Sequence, residues 1–392
     1  MPSDLSYWLV SVPLHDGDPS AVLQEARKAV NNTVPVGGWE IPELKAGTLS
    51  SLINLSDSLP KTDQQFTTTV SKLLDTLRSL VSEDATRVAQ HARVNDRPAE
   101  EYVLPDPNGN GSWQWDKRRW GDGGKVVDVI EALVQEMGTV ETSQKQKSQQ
   151  YQLAKGALTN LQRKQQGNLS TRSLLDVVKK EHLVENSEYL ETLLVAVPKN
   201  NIKTWYEKYE RLTPMVVPRS SQEVAKDGEF ILVTVTLFRK VRDDFINKAR
   251  ENKFIVRDFK WDDQGLENQN KELAQLEKEE KELWTELLRL SRINFSEAYQ
   301  LLAHLKTVRL FVESVLRYGL PADYSGFVVK PEPKTAVKTL KLLSAHYNYL
   351  GSAKSRDAKK GNTDEAAVGE WAGVMEQEYY DFVLFELPKI QF

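Results

Sequence analysis

The sequence predicts an α+β chain that is mostly α: an elongated dumbbell with a discontinuous α/β base, an antiparallel coiled-coil-like shaft and a compact α/β knob. Three observations predict it. Positions spaced 4-3-4-3 from Val126 to Leu161 are apolar at nine of eleven places, the sustained seam of a helix that packs on another helix. Leu266 to Tyr318 contains no Gly and no Pro, and its leucines at 273, 276, 283, 287 and 290 form a second seam that Glu280 interrupts. Between the two lie about 100 residues of strand signals alternating with helix signals, enough for a domain. Neither seam is stable in water, so antiparallel pairing is the simplest solution. It puts the insert at one end of a rod and brings the N- and C-terminal segments together at the other. The expected divisions are residues 1–122 and 319–392 for the base, 123–166 and 264–318 for the shaft, its second helix running into the base, and 167–263 for the knob.

Each element follows from local pattern. "YWLVSVPL" reads as a short strand, and "PSAVLQEARKAV" as a helix with Pro19 at its start, where a missing N–H costs nothing. "TLSSLINLSDSLPKTDQQFTTTVSKLLDTLRSLV" reads as two helices broken near Pro60. "EYVLPDPNGNGSWQWDKRRWGDGG" is rich in Gly and Pro and predicts strand plus loop. The first long helix, Gly124–Gln166, would span roughly 60 Å and the second roughly 80 Å at 1.5 Å per residue. In the insert, "EYLETLLVAVP", "EFILVTVTLFRK" and "KFIVRDF" predict strands, and "KNNIKTWYEKYERL" and "VRDDFINKAREN" helices. Val233, Val235 and Leu237 alternate with Leu232, Thr234 and Thr236, the period of a strand. That alternation of elements predicts an α/β layer. "SGFVVKP" predicts a strand, "AVKTLKLLSAHYNYL" a helix and "KSRDAKKGNTDE" a polar loop, and "EYYDFVLFELP" closes the chain.

Composition excludes several functions. Of 392 residues 40 % are apolar and 28 % charged, with a net charge of −4, so no general attraction to nucleic acid or anionic membrane is expected. With no cysteine there are no disulfides, thiolate metal sites or cysteine nucleophiles, which suits a reducing compartment. The N-terminus lacks a basic region followed by an apolar core, and no apolar run nears the ~20 residues of a membrane span. A cytosolic protein is expected, one that reaches membranes only through partners.

No catalytic constellation stands out. There is no GxxxxGK[ST] and no GxSxG; "WGDGGK" lacks the P-loop spacing. The histidines at 15, 91, 182, 304 and 346 form no close ligand pair, and no cofactor is implied. His304 lies on the mainly apolar side of its helix and reads as a packed, hydrogen-bonded core histidine. Trp113, Trp115 and Trp120 admit two readings: a stacking platform for a sugar or partner, or rings that lock a loop onto the base. Phe259 and Trp261, in "RDFKWDD", either cap the knob or anchor a partner near the neck.

In "SEAYQLLAHLKTVRLFVESVLRYGLP" the charges Lys306, Arg309, Glu313 and Arg317 follow at +3, +4 and +4 and share one stripe with Phe295, Tyr299, Leu302 and Leu310. This end of the helix should be clamped inside the base, with the charges forming an intrahelical ladder. A docking surface for an acidic partner is the other reading.

The same stretch carries a resemblance. "HLKTVRLFVESVLRYGLP" (His304–Pro321) strongly resembles the signature of the C-subunit family of the vacuolar-type proton-pumping ATPase (V-ATPase). "GNLSTRSLLDVV", "LLVAVPK" and "VTLFRKVRDDFINKARENKFIVRDF" resemble further signature blocks in the same order, so the resemblance covers essentially the whole chain. It implies an elongated protein with head, neck and foot and a non-catalytic role in the stator. The head would bind one peripheral stalk, a heterodimer of the E and G subunits, and the foot a second stalk and the cytosolic domain of the membrane a-subunit. Reversible release on pump disassembly is also implied, and some members are linked to actin. No catalytic residue transfers. The candidate interface positions are Phe259 and Trp261 at the head–neck junction, Arg309, Glu313 and Arg317 in the foot, and Phe382 in the closing segment. Without the resemblance, an unrelated coiled-coil adaptor or a carbohydrate-active enzyme using the Trp-rich loop would stay open.

Overall fold

The computed structural model describes residues 2–14, 18–105, 112–184, 187–261, 265–351 and 380–391. His15 and the polar loop Lys354–Glu365 lie outside the described residues. In chain order the elements are β1 (Ser6–Pro13), α1 (Pro19–Ala29), β2 (Val36–Trp39), α2 (Leu49–Leu80), α3 (Ala85–His91), β3 (Arg93–Val94), β4 (Arg97–Pro98), α4 (Ala99–Val103), β5 (Ser112–Trp113), α5 (Lys117–Trp120) and α6 (Val126–Gln166). They continue with β6 (Leu190–Pro198), α7 (Ile202–Lys208), β7 (Glu223–Lys226), β8 (Phe230–Phe238), α8 (Arg242–Glu251), β9 (Ile255–Arg257), α9 (Gly265–Tyr318), β10 (Tyr324–Val329), α10 (Ala336–His346) and β11 (Val383–Pro388). The chain divides into two compact units, Met1–Gln146 with Glu286–Phe392, and Lys147–Thr285.

The first unit is built on a five-stranded sheet of order β11-β1-β10-β2-β5. Its first four strands are antiparallel neighbours, and β5 joins β2 in parallel. The interior strand β1 is buried on both faces, which its nearly continuous apolar run requires. Trp8, Val10 and Val12 pack toward a core shared with α1 and α10. Tyr7 and Leu9 face the larger core formed with α2, α6 and α9. The sheet closes tightly at Gly326, where a Cβ would sit 2.4 Å from the Trp39 carbonyl oxygen, so only glycine allows this approach of β10 to β2.

From Leu301 to Val308 every residue of α9 is buried, as befits a helix wrapped on all sides. Two sheet contacts fix its rotation: Trp39 Nε1–H donates to Thr307 Oγ1 at 3.0 Å, and the Ser314 and Ser11 hydroxyls pair at 2.7 Å. Residues 126–144 of α6 bury their seam at Val126, Ile130, Leu133, Met137, Val140 and Gln144. Arg119 joins Glu136 to Glu297, and Gln144 bonds Ser291, so α6 and α9 run antiparallel here.

The helix expected to break at Pro60 does not: α2 is one helix of 32 residues with Pro60 inside. Pro60 is on the exposed face, where a missing hydrogen bond is least costly, while Leu59, Phe66 and Val70 hold the helix down. The segment expected as strand plus loop also holds the short helices α4 and α5, the latter capped by Asp116 accepting from the Arg118 and Arg119 N–H groups.

The second unit carries a four-stranded sheet, β7-β8-β6-β9, antiparallel throughout. Val233, Val235 and Leu237 face a core made with Trp205, Phe245 and Phe254 of α7, α8 and the turn after it. Leu194 and Leu232 face the other way, toward Leu169, Leu174 and Val178. The expected α/β layer is thus an antiparallel α+β sheet. The reason is the β7–β8 hairpin, whose turn is tied by Asp227 accepting from the Glu229 and Phe230 N–H groups at 2.7 and 2.6 Å. That hairpin returns the chain beside β6 in the opposite sense.

Candidate functional site

The tryptophan-rich segment is an interior. Trp113, Trp115 and Trp120 are 2, 3 and 8 % exposed, and Trp113 stacks on Trp39 at 4.1 Å between centroids. These rings surround His304, at centroid distances of 5.0, 4.9 and 6.0 Å. The His304 Nδ1–H donates to the Gln300 carbonyl at 2.7 Å, and Nε2 accepts from the Asp116 N–H at 3.3 Å. The partners fix this neutral tautomer, since a carbonyl only accepts and an amide N–H only donates. Burial pushes the imidazole down to about 4. With the rings enclosed, the segment offers no stacking platform; it locks onto the core.

The charged stripe of α9 also points inward. Lys306 Nζ donates to Asp63 Oδ2 of α2 at 2.8 Å, and Arg309 donates to the same oxygen. The three side chains are 8, 13 and 9 % exposed in the order Lys306, Arg309, Asp63. Burial pushes the Lys306 ammonium below the usual lysine range, with Asp63 opposing the shift. Arg309 also lies over the Phe385 ring at 4.1 Å, a cation–π contact. Glu313 accepts from the Ser56 hydroxyl. Arg317 donates to the Tyr380 and Phe382 carbonyls, both at 2.8 Å.

The expected intrahelical ladder is therefore corrected. Each charge reaches another element, because this part of α9 is enclosed and inter-element partners lie nearer than the next turn. A groove of about 610 Å³ runs along these contacts, lined by Ser56, Arg309, Glu313, Arg317, Phe382 and Phe385 among others. Sequence reading missed Asp63 and Ser56. Asp63 had a signal: it falls on the stripe of Leu59, Phe66, Val70 and Leu73, where a carboxylate requires a buried partner.

The remaining candidates divide: Phe382 borders this groove, and Phe259 and Trp261 lie in the second unit. Phe382 is 1 % exposed and packs with Phe327 and Tyr347 in the α1–α10 core. Phe259 and Trp261 belong to the second unit, beyond the end of β9, half-buried and edge-to-face at 6.4 Å. Phe259 packs against the Leu169–Leu174–Val178 core. Among the described residues no cluster of His, Asp and Glu could hold a metal ion, and no helix is long and apolar enough to cross a membrane.

Comparison with known proteins adds a family. Residues 7–383 match the sequence model of the V-ATPase C-subunit. The chain is 35 % identical over 386 residues to the V-type proton ATPase C-subunit 1 of Xenopus tropicalis, covering 97 % of each chain. It is 36 % identical over 381 residues to the V-type proton ATPase C-subunit of Caenorhabditis elegans, covering 97 % of this chain and 96 % of that one. The solved cytoplasmic N-terminal domain of the V-ATPase I-subunit, homolog of the a-subunit, aligns with 86 % of this chain and 96 % of its own, but at a TM-score of 0.28 and 14 % identity, too low to bear on the fold. The match over residues 7–383 and the identities of 35 and 36 % over 97 % of the chain carry the conclusion: the chain belongs to the V-ATPase C-subunit family.

Proposed function

We propose that this protein is a non-catalytic strut in the stator of the proton pump, bridging the E–G peripheral stalks and the cytosolic domain of the membrane a-subunit. Held by these partners at the cytosolic face of the membrane, it resists rotor torque and leaves when the pump disassembles. The observation that carries the reading is the family match along essentially the whole chain. Two long helices, of 41 and 54 residues, are consistent with the elongated architecture this role would use. Several moderate contacts would together give firm attachment through effective concentration, and losing one would loosen the rest.

The test is recovery of a tagged chain from membrane and cytosolic fractions of its host, with the co-purifying subunits identified by mass spectrometry. The reading expects the E, G and a subunits with the membrane-bound pool and fewer with the cytosolic pool. Trp261→Ala, at a half-buried ring outside regular structure, should keep the fold and reduce recovery of the stalk pair. Absence of pump subunits from both fractions overturns the reading.

A further inference from the structure

A cavity of about 440 Å³ opens in the first unit between the end of α3, the β3–β4 hairpin and the middle of α9. Arg93, Arg289, Arg292 and His91 line it, with Asp96 and Glu297 as its acidic members. Glu297 is already engaged by Arg119, and Arg93 gives an N–H to the Asp96 carbonyl at 3.3 Å. Among the described residues, Arg289 and Arg292 have no carboxylate partner. They stand three residues apart on one helix, where like charges destabilise. His91 reports the resulting field: burial first, then Arg292 and Arg87, hold its imidazole below the usual histidine range. Its Nδ1 is buried without a hydrogen-bond partner.

The cavity walls are fixed without a ligand. Asn95 ties the hairpin to α9, its N–H donating to Ser296 Oγ at 3.0 Å and its side-chain amide to Gln300 Oε1 at 3.1 Å. A held concavity with two uncommitted guanidinium forks, a third beside them and an unsatisfied ring nitrogen suits an anion with several oxygens. A phosphate group has the charge and acceptors to satisfy both forks and the ring at once, where a lone carboxylate has two oxygens. We propose that this cavity binds a small phosphate-bearing anion, its oxygens bridging Arg289 and Arg292 and accepting from His91. The site uses none of the residues assigned to the strut, so it stands or falls independently of that reading.

The probe is inorganic pyrophosphate, titrated into the full-length protein at constant ionic strength, followed by calorimetry and by the His91 ring signals in NMR. Expected are saturable one-site binding, an upward move of the His91 titration when the anion is bound, and roughly tenfold or greater weakening in Arg289→Gln/Arg292→Gln, the loss of a bidentate charge-assisted contact. Both arginines are exposed, so that variant melts as the parent does without ligand. Arg118→Gln/Lys125→Gln, which removes two exposed charges elsewhere, leaves binding unchanged. Non-saturable uptake, equal weakening by the two double variants, or a His91 titration indifferent to pyrophosphate overturns the proposal.

Discussion

His304 ties acid sensitivity to one side chain. Both ring nitrogens are satisfied only in the neutral form, since protonating Nε2 would set a donor against the Asp116 N–H. Its folded value of about 4 lies below the unfolded histidine range. Between the two, the unfolded chain binds the proton and the folded chain does not. Stability is therefore retained above the unfolded value and lost as pH falls from about 6.5 toward 4. Urea unfolding should show about 2 kcal/mol less stability at pH 5 than at pH 7 from this residue, and His304→Gln should flatten that slope. An unchanged slope in the variant would remove His304 as the cause. Asp63 makes a second residue-scale case, one carboxylate serving two buried cations. Asp63→Asn should cost about 3 kcal/mol by stranding both. Lys306→Met, which leaves Asp63 with Arg309, should cost clearly less in the same denaturation assay.

At the scale of elements, the seam between α6 and α9 contains a matched polar layer. Gln144 Nε2–H donates to Ser291 Oγ at 2.8 Å, and Asn294 Nδ2–H donates to Gln144 Oε1 at 3.0 Å. In the second unit, Glu280, which interrupts the α9 seam, pairs with the buried Tyr151 hydroxyl, and burial ahead of that pairing raises the phenol to about 12. Polar groups inside a seam select one register, because any slip sets them against apolar neighbours. Asn294→Leu alone should cost about 1–3 kcal/mol by leaving Gln144 unsatisfied. Gln144→Leu/Asn294→Leu should recover much of that loss, so a double-mutant cycle should be strongly non-additive. Additive losses would mean the layer is held by something else.

For the whole molecule, the decisive feature is that the two ends of the chain share one sheet. β1 lies between β10 and β11, with Ser6 opposite Pro388 and Ser11 opposite Val383. Helix α9 clasps β11 as well: the Tyr299 hydroxyl donates to the Pro388 carbonyl, and the Tyr318 hydroxyl accepts from the Val383 N–H, both at 3.1 Å. Ending the chain after Phe382 should therefore unfold the first unit rather than trim it. Near-UV circular dichroism and limited proteolysis of the truncated chain should show lost tertiary packing at residues 1–146, and a native-like melt would contradict this. That a segment so far along the chain controls the first strand is the energetic counterpart of a fold that no N-terminal fragment completes.

Local pattern by itself determined the long helices, the alternation in β8, the strands at Ser6–Pro13 and Tyr324–Val329, and the core role of His304, because helix and strand periodicity is written into neighbouring residues. The family was legible by another route, the resemblance of contiguous blocks such as His304–Pro321 to known signatures. Only the tertiary structure decided that Pro60 leaves α2 whole, that the second unit's sheet is antiparallel, and that the α9 charges pair with Asp63, Ser56 and the Tyr380 and Phe382 carbonyls rather than with one another. Spacing along a helix gives the direction in which a charge points, but its partner comes from whichever element packs there, and between Asp63 and Lys306 that element is 243 residues away in sequence.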